Sequence, residues 1–144
     1  MSKFFIRGIS LFVKVTGDGN PLVLMHGGPG VDHTTMLPFL PLADHFKLVF
    51  YDHRCNGRSE GAAITSMTWE NLTADAEALR QALGVDKWSV LGHSFGGMVA
   101  LGVCASISAK PVASCAGGHL RGYPLGSKER AGDSGKTRLQ SCDS

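Results

Sequence analysis

The chain has 144 residues, of which 43% are hydrophobic and 18% charged, and its formal net charge is +2. That length fits one domain with a real core, and the small, dispersed charge offers no basic run to neutralise phosphates, so no nucleic-acid partner is expected. No apolar run reaches membrane-spanning length, so no membrane partner is expected either.

The N-terminus, MSKFFIRGISLFVKV, starts basic and apolar. Arg7 and Lys14 interrupt it and no small-residue cleavage site follows, so it is not read as a signal peptide. The same stretch reads as two short strands around Gly8. PLVLMH is a compact apolar strand ending in the glycine-rich turn HGGPG. HTTMLPFLPLADHF is helical in part, with boundaries disturbed by Pro38 and Pro41. KLVFYDH is another strand.

Residues 69–83, WENLTADAEALRQAL, form the cleanest helix, because Leu72, Ala76, Leu79 and Leu83 recur on one face. Thr68 is the expected N-cap, Glu70 suits the first turn, and Gly84 stops the helix. KWSVLG is again a strand. Strands and helices alternating with such short connections predict an α/β fold, with a largely parallel central sheet and flanking helices.

VLGHSFGG follows as a nucleophile-elbow pattern, G-x-S-x-G, met by Gly92, Ser94 and Gly96. Its context fits, since KWSVL supplies the strand before it and MVALG the helix after it. The tight turn exposes the Ser94 hydroxyl, and the Phe95 N–H opens the helix as one oxyanion donor. A second donor is expected from the loop after the earlier strand. There His26, Gly27, Gly28, Pro29 and Gly30 follow an apolar run, and Gly28 is the candidate.

HGGPG, YDHRCNGRSEG and GHSFGGMVAL together resemble the α/β-hydrolase family, in its proline iminopeptidase-like branch, over about residues 3–101. The HGGPG loop is the branch-specific motif. The resemblance implies an acyl-serine hydrolase acting on a small peptide, amide or ester, with preference for a free N-terminal residue. Its partner is therefore a small-molecule or short-peptide substrate. The family usually carries glycine where Cys55 stands, so a side chain there strains the turn. Asp52, Arg54 and Arg58 are read as tying that loop to the sheet.

A serine hydroxyl needs a base, and that base needs a third group to hold it. In this fold the order is Ser, then Asp or Glu, then His. After Ser94 the only histidine is His119, and the acids Glu129, Asp133 and Asp143 all follow it. His26 belongs to the oxyanion loop and His93 adjoins the serine, while His33, His45 and His53 lie on early segments. Each reads as structural, so no triad acid or base is assigned and the chain as printed is expected to be inactive.

The texture also changes near residue 105, dividing the chain into a hydrolase-like part, 1–105, and an irregular tail, 106–144. The tail is rich in Gly, Ser, Lys and Arg, without period, and is not expected to complete a sheet. A one-base shift after Leu101, using only codons compatible with GVCASISAKPVASCAGGH, permits EYARRYPQSLSHLVLVDT. That string has the amphipathic helix and apolar strand that should follow an elbow, so the expectation is a truncated hydrolase with an out-of-frame tail. AGDSGKT resembles a phosphate-binding loop but has Arg130 where glycine is required.

Cys55, Cys104, Cys115 and Cys142 show no paired spacing, so no metal site or disulfide framework is expected, and a reducing cytoplasm is the default. The proposed chemistry needs no cofactor. The alternatives are a general esterase or a non-hydrolytic relative on the same scaffold, such as a lyase or haloperoxidase. A non-catalytic truncated protein is a third reading.

Overall fold

A computed structural model describes residues 2–61, 63–106 and 110–115 of the chain. His119, the acids after it, the AGDSGKT stretch and most of the expected irregular tail lie outside the described residues. Strands β1 (Ser2–Ile6) and β2 (Ile9–Thr16) form a hairpin in which Ser2 pairs with Val13 and Ile6 with Ile9. Its two-residue turn, Arg7 and Gly8, has φ of 49° and 82°. Left-handed values at both positions match the right-handed twist of the flanking strands.

β3 (Asn20–Met25) and β4 (Phe46–Tyr51) are parallel, and β2 joins the outer side of β4 in antiparallel register. Between β3 and β4 runs a 3₁₀ segment, His33–Asp44. Pro38 and Pro41 lie inside it and withhold two backbone donors, which explains why the partly helical stretch is not an α-helix. Asp32 caps it, accepting from the Thr34 N–H at 2.9 Å. Helix α1 (Trp69–Ala82) starts as expected, with Thr68 accepting from the Asn71 N–H at 3.3 Å. Gly84 follows with φ of 66°.

β5 (Ser89–His93) lies parallel to β3 on the side away from β4, and helix α2 (Phe95–Ser106) leaves its end directly. Strand β6 (Lys110–Cys115) then pairs in parallel with β5, giving the order β1-β2-β4-β3-β5-β6. This corrects the expectation that nothing after residue 105 completes the sheet. Without a neighbour, β5 would present a row of unpaired N–H and C=O groups, and even an aperiodic segment can satisfy that ladder. A shift in register between Val90 and Leu91 accommodates the pairing.

Alternation along the central strands sends side chains to two buried faces. Val23, Met25, Val49, Tyr51 and Val90 pack with Leu72, Ala76 and Leu79 of α1 and Val99 and Val103 of α2. Leu22, Leu24, Leu48, Phe50 and Leu91 pack against Met36 of the 3₁₀ segment. Burial on both faces is why these strands read as continuous apolar runs. Among the described residues no helix is long and apolar enough to cross a membrane.

The chain leaves β3 toward β4 on one side and later returns to place β5 on the other. β3 is therefore the switch point of the sheet, with Met25 paired to Gly92. The loops after β3 and β5 emerge side by side, which is where open α/β sheets form their ligand crevice.

Candidate active site

The turn from β5 into α2 is built on Ser94, whose φ is 53°. A non-glycine residue in the left-handed region carries strain and persists only where its surroundings hold it. Here the Ser94 carbonyl is fixed by the first turn of α2, accepting from the Gly97 N–H at 2.9 Å and the Met98 N–H at 3.3 Å. Ser94 is exposed, and the Phe95 N–H belongs to the opening of α2, where N–H groups lack intrahelical partners.

The elbow glycines are required by space. A Cβ on Gly92 would overlap the Gly96 carbonyl, and one on Gly96 would overlap the carbonyl oxygens of Met25 and His26. Helix α2 thus starts in backbone contact with the end of β3. Only glycine allows the approach.

His26, Gly27, Gly28, Pro29 and Gly30 run past this turn. A Cβ on Gly27 would stand 3.5 Å from Ser94 Cβ, so the loop backbone is in contact range of the serine. Gly28 has φ of 31° and Gly30 of 91°, and a Cβ on Gly28 would meet nothing nearer than Val31 at 4.0 Å. The structure thus brings Gly27 to Ser94, with Gly28 the next residue of that loop and Phe95 the residue after the serine.

The loop is held at several points. His26, fully buried, accepts from the His53 N–H through Nε2 at 3.0 Å, so its proton sits on Nδ1, which donates to the Gly27 carbonyl at 2.8 Å. Burial pulls its pKa down, opposed by the Gly27 hydrogen bond. The Gly30 N–H donates to Asn56 Oδ1 at 2.7 Å. Farther on, Asp52 Oδ1 accepts from both the His33 N–H and His33 Nδ1, at 2.7 and 2.8 Å.

Through their side chains Asp52 and Arg54 do hold this loop, but to other loop residues and to helix α1 rather than to the sheet. Asp52 Oδ2 accepts from the Arg58 N–H at 2.8 Å, and the Arg58 guanidinium lies over the Phe12 ring at 5.0 Å. Arg54 grips Asp75 of α1 through Nε and Nη2, at 2.5 and 2.7 Å, and Arg7 reaches the same carboxylate at 2.8 Å. Cys55, in glycine's usual place, has φ of 61°. Its thiol donates to the Ala63 carbonyl at 3.3 Å.

Three residues near the site were not legible as part of it. His53 lies between the His26 ring at 4.3 Å and the Phe95 ring at 6.0 Å, with both ring nitrogens buried and unpaired. Burial and the neighbouring His26 push its pKa down to about 3, so it is neutral. Asn56 and Trp69 are the others, Trp69 stacking on Phe95 at 5.2 Å. Each touches a motif residue through space, a signal absent from spacing.

The five described histidines divide by role. His26, His33 and His53 are buried, His45 ends the 3₁₀ segment, and His93 is exposed beside Ser94 with Nδ1 directed at Gly27. Among the described residues, no hydrogen bond joins the Ser94 hydroxyl to any of these rings. No group of three or more His, Cys, Asp or Glu side chains among these residues could hold a metal ion.

Residues 20–117, more than half of the chain, match the alpha/beta hydrolase fold family. A proline iminopeptidase of Xanthomonas citri is 40% identical over 93 residues, covering 63% of this chain and 29% of its own length. A proline iminopeptidase-related protein from Thermus thermophilus superimposes with a TM-score of 0.70 at 29% identity, over 74% of this chain and 40% of that one. An epoxide hydrolase from Vigna radiata gives 0.71 at 26% identity, over 80% and 38%. The chain spans about a third of the length of the curated relatives it matches.

Proposed function

The chain belongs to the alpha/beta hydrolase fold family, and from that premise we propose that it is the elbow-bearing part of a serine hydrolase acting on small peptide, amide or ester substrates. The observation that carries the proposal is Ser94, held at φ of 53° on the strand-to-helix turn with Gly27 against it. Strain at an exposed serine serves to lift the hydroxyl from the backbone toward a substrate.

In this reading Ser94 Oγ attacks the carbonyl carbon, and the carbonyl oxygen gains negative charge. The N–H groups of Phe95 and Gly28 receive that charge, at a helix N-terminus and in a glycine loop open to the ligand. The leaving amine or alcohol departs, and water releases the acyl group from Ser94. No metal or organic cofactor enters. The identity to proline iminopeptidases and the HGGPG loop favour a substrate with a free N-terminal residue.

Proton transfer needs an acid and a base that the described residues do not offer to Ser94. We place both in polypeptide equivalent to the remaining length of the relatives, and read residues after about Leu101 as out of frame, in a cytoplasmic protein. With the base missing, only a small residual rate is expected. The nucleotide sequence tests the frame: an uninterrupted reading with early stops in the shifted one overturns it.

Two assays test the activity. A fluorophosphonate should label Ser94 in the present chain, slowly, and not label Ser94→Ala. The full reading frame should hydrolyse proline p-nitroanilide faster than p-nitrophenyl acetate. The reverse preference supports a general esterase, a reading favoured by the structural likeness to an enol-lactonase from Burkholderia xenovorans.

A further inference from the structure

The loop proposed to stabilise the oxyanion contains three glycines in five residues, and glycine has more conformational freedom to lose than any other residue. Gly27 and Gly28 keep one shape only if both flanks are tied. The upstream flank is tied by His26 Nε2, which accepts from the His53 N–H at 3.0 Å. The downstream flank is tied at Gly30.

That tie is a side chain. Asn56 is 3% exposed, and both ends of its amide are engaged. Oδ1 accepts from the Gly30 N–H at 2.7 Å, while Nδ2 donates to the Arg54 carbonyl at 2.8 Å and lies 3.3 Å from Met67 Sδ. The two partners fix the amide orientation, since a flipped amide would oppose N–H to N–H and oxygen to oxygen. The Asn56 backbone is itself held, its N–H donating to the His53 carbonyl at 3.0 Å.

We propose that Asn56 is a positioning residue that sets the Gly27–Gly28 backbone against Ser94 by clamping Gly30, and so tunes the oxyanion hole without touching substrate. The inference rests on the proposed role of Gly28. The clamp continues into the scaffold: Arg54, whose carbonyl anchors Asn56, is fixed to Asp75 of α1 at 2.5 and 2.7 Å. The oxyanion loop is thereby referred to a helix on one face of the sheet. Cutting the clamp frees Gly30 and lets the Gly28 N–H swing, and small misplacements near a reacting atom cost large factors in rate.

The side chain that replaces Asn56 separates positioning from bulk stability. Asn56→Ala removes acceptor and donor together. Asn56→Asp keeps an acceptor, but as a carboxylate it has no proton for the Arg54 carbonyl.

The experiment is amide hydrogen exchange by mass spectrometry on the full chain, corrected for intrinsic rates, alongside fluorophosphonate labelling of Ser94. Asn56→Ala should speed exchange in the peptide spanning residues 27–31 by about tenfold and leave β2 and the end of α1 unchanged. It should slow the labelling step at saturation more than it weakens reagent binding. Asn56→Asp, measured at the same neutral pH, should keep protection at residues 27–31 closer to wild type than Asn56→Ala does, because its carboxylate still accepts from the Gly30 N–H, which also serves if the alanine variant does not fold. Unchanged exchange at 27–31 in Asn56→Ala, uniform acceleration across the chain, or acceleration at 27–31 in Asn56→Asp as large as in Asn56→Ala overturns the clamp. Failure of the full reading frame to label at Ser94 removes the serine-hydrolase reading, while the exchange data still judge the clamp.

Discussion

Gly27 and Ser94 meet across the gap between the ends of β3 and β5: a Cβ on Gly27 would lie 3.5 Å from Ser94 Cβ and 3.0 Å from His93 Nδ1. The first distance is ordinary contact, and the second involves an exposed side chain that can move. Gly27→Ala should therefore fold with a stability change within about 1 kcal/mol. It should nevertheless slow fluorophosphonate labelling of Ser94, because the added methyl group enters the space beside the hydroxyl. Thermal melting and labelling rate, measured together, check this.

Gly96 and Gly97 are adjacent but differ in kind. A Cβ on Gly96 would overlap the Met25 and His26 carbonyl oxygens, whereas the nearest atom to one on Gly97 is the Gly92 carbonyl oxygen at 3.5 Å. Gly96→Ala must push α2 away from β3 and should cost about 3 kcal/mol or prevent folding. Gly97→Ala, inside a helix, should be neutral or slightly stabilising. Urea midpoints of the pair should differ widely.

Backbone strain at Ser94 and Cys55, with φ of 53° and 61°, predicts stabilisation by glycine at both. Ser94→Gly and Cys55→Gly should each add about 1 kcal/mol, less the entropy that glycine returns to the unfolded chain. Only Ser94→Gly should abolish labelling. Equal or lower melting temperatures would remove strain as the account of these positions.

Asp75 is 2% exposed and receives two guanidinium groups, Arg54 at 2.5 Å and Arg7 at 2.8 Å. Asp75→Ala leaves the buried Arg54 charge without its partner and should cost about 3–5 kcal/mol. Arg7→Ala removes a partner that is 38% exposed and should cost about 1 kcal/mol or less. Chemical denaturation of the two variants tests this order.

His53 gives the fold a pH dependence with a definite sign. Its pKa falls from 6.5 to about 3 through burial and the adjacent His26, so between those values the unfolded chain binds a proton that the folded chain refuses. Stability from this residue is complete above pH ~6.5 and is lost as the pH falls toward ~3, by a few kcal/mol at most. His26, also lowered, acts in the same direction. His53→Phe should flatten the decline of denaturation midpoint with acidity while preserving the backbone bond from residue 53 to His26. An unchanged slope would assign the acid sensitivity elsewhere.

Local chemistry is what the amino-acid order carries. The two strands around Gly8, the Thr68 cap, the apolar face of α1 and the crowded glycines of the elbow each depend on residues within a few positions of one another. These were legible, and so was the α/β class. In Pro38 and Pro41 the sequence also marked where helix hydrogen bonding would fail, although not that 3₁₀ turns would replace it.

The tertiary structure decided which distant loops meet. Asn56 and Gly30 are 26 residues apart, and Trp69 and Phe95 are as far. Their contacts follow from β3 lying between β4 and β5, an order that hydrophobic period does not encode because several strand orders bury the same apolar runs. The strand at Lys110–Cys115 has the same origin. Its own residues lack a strand pattern, and the open hydrogen-bonding edge of β5 supplies what they do not.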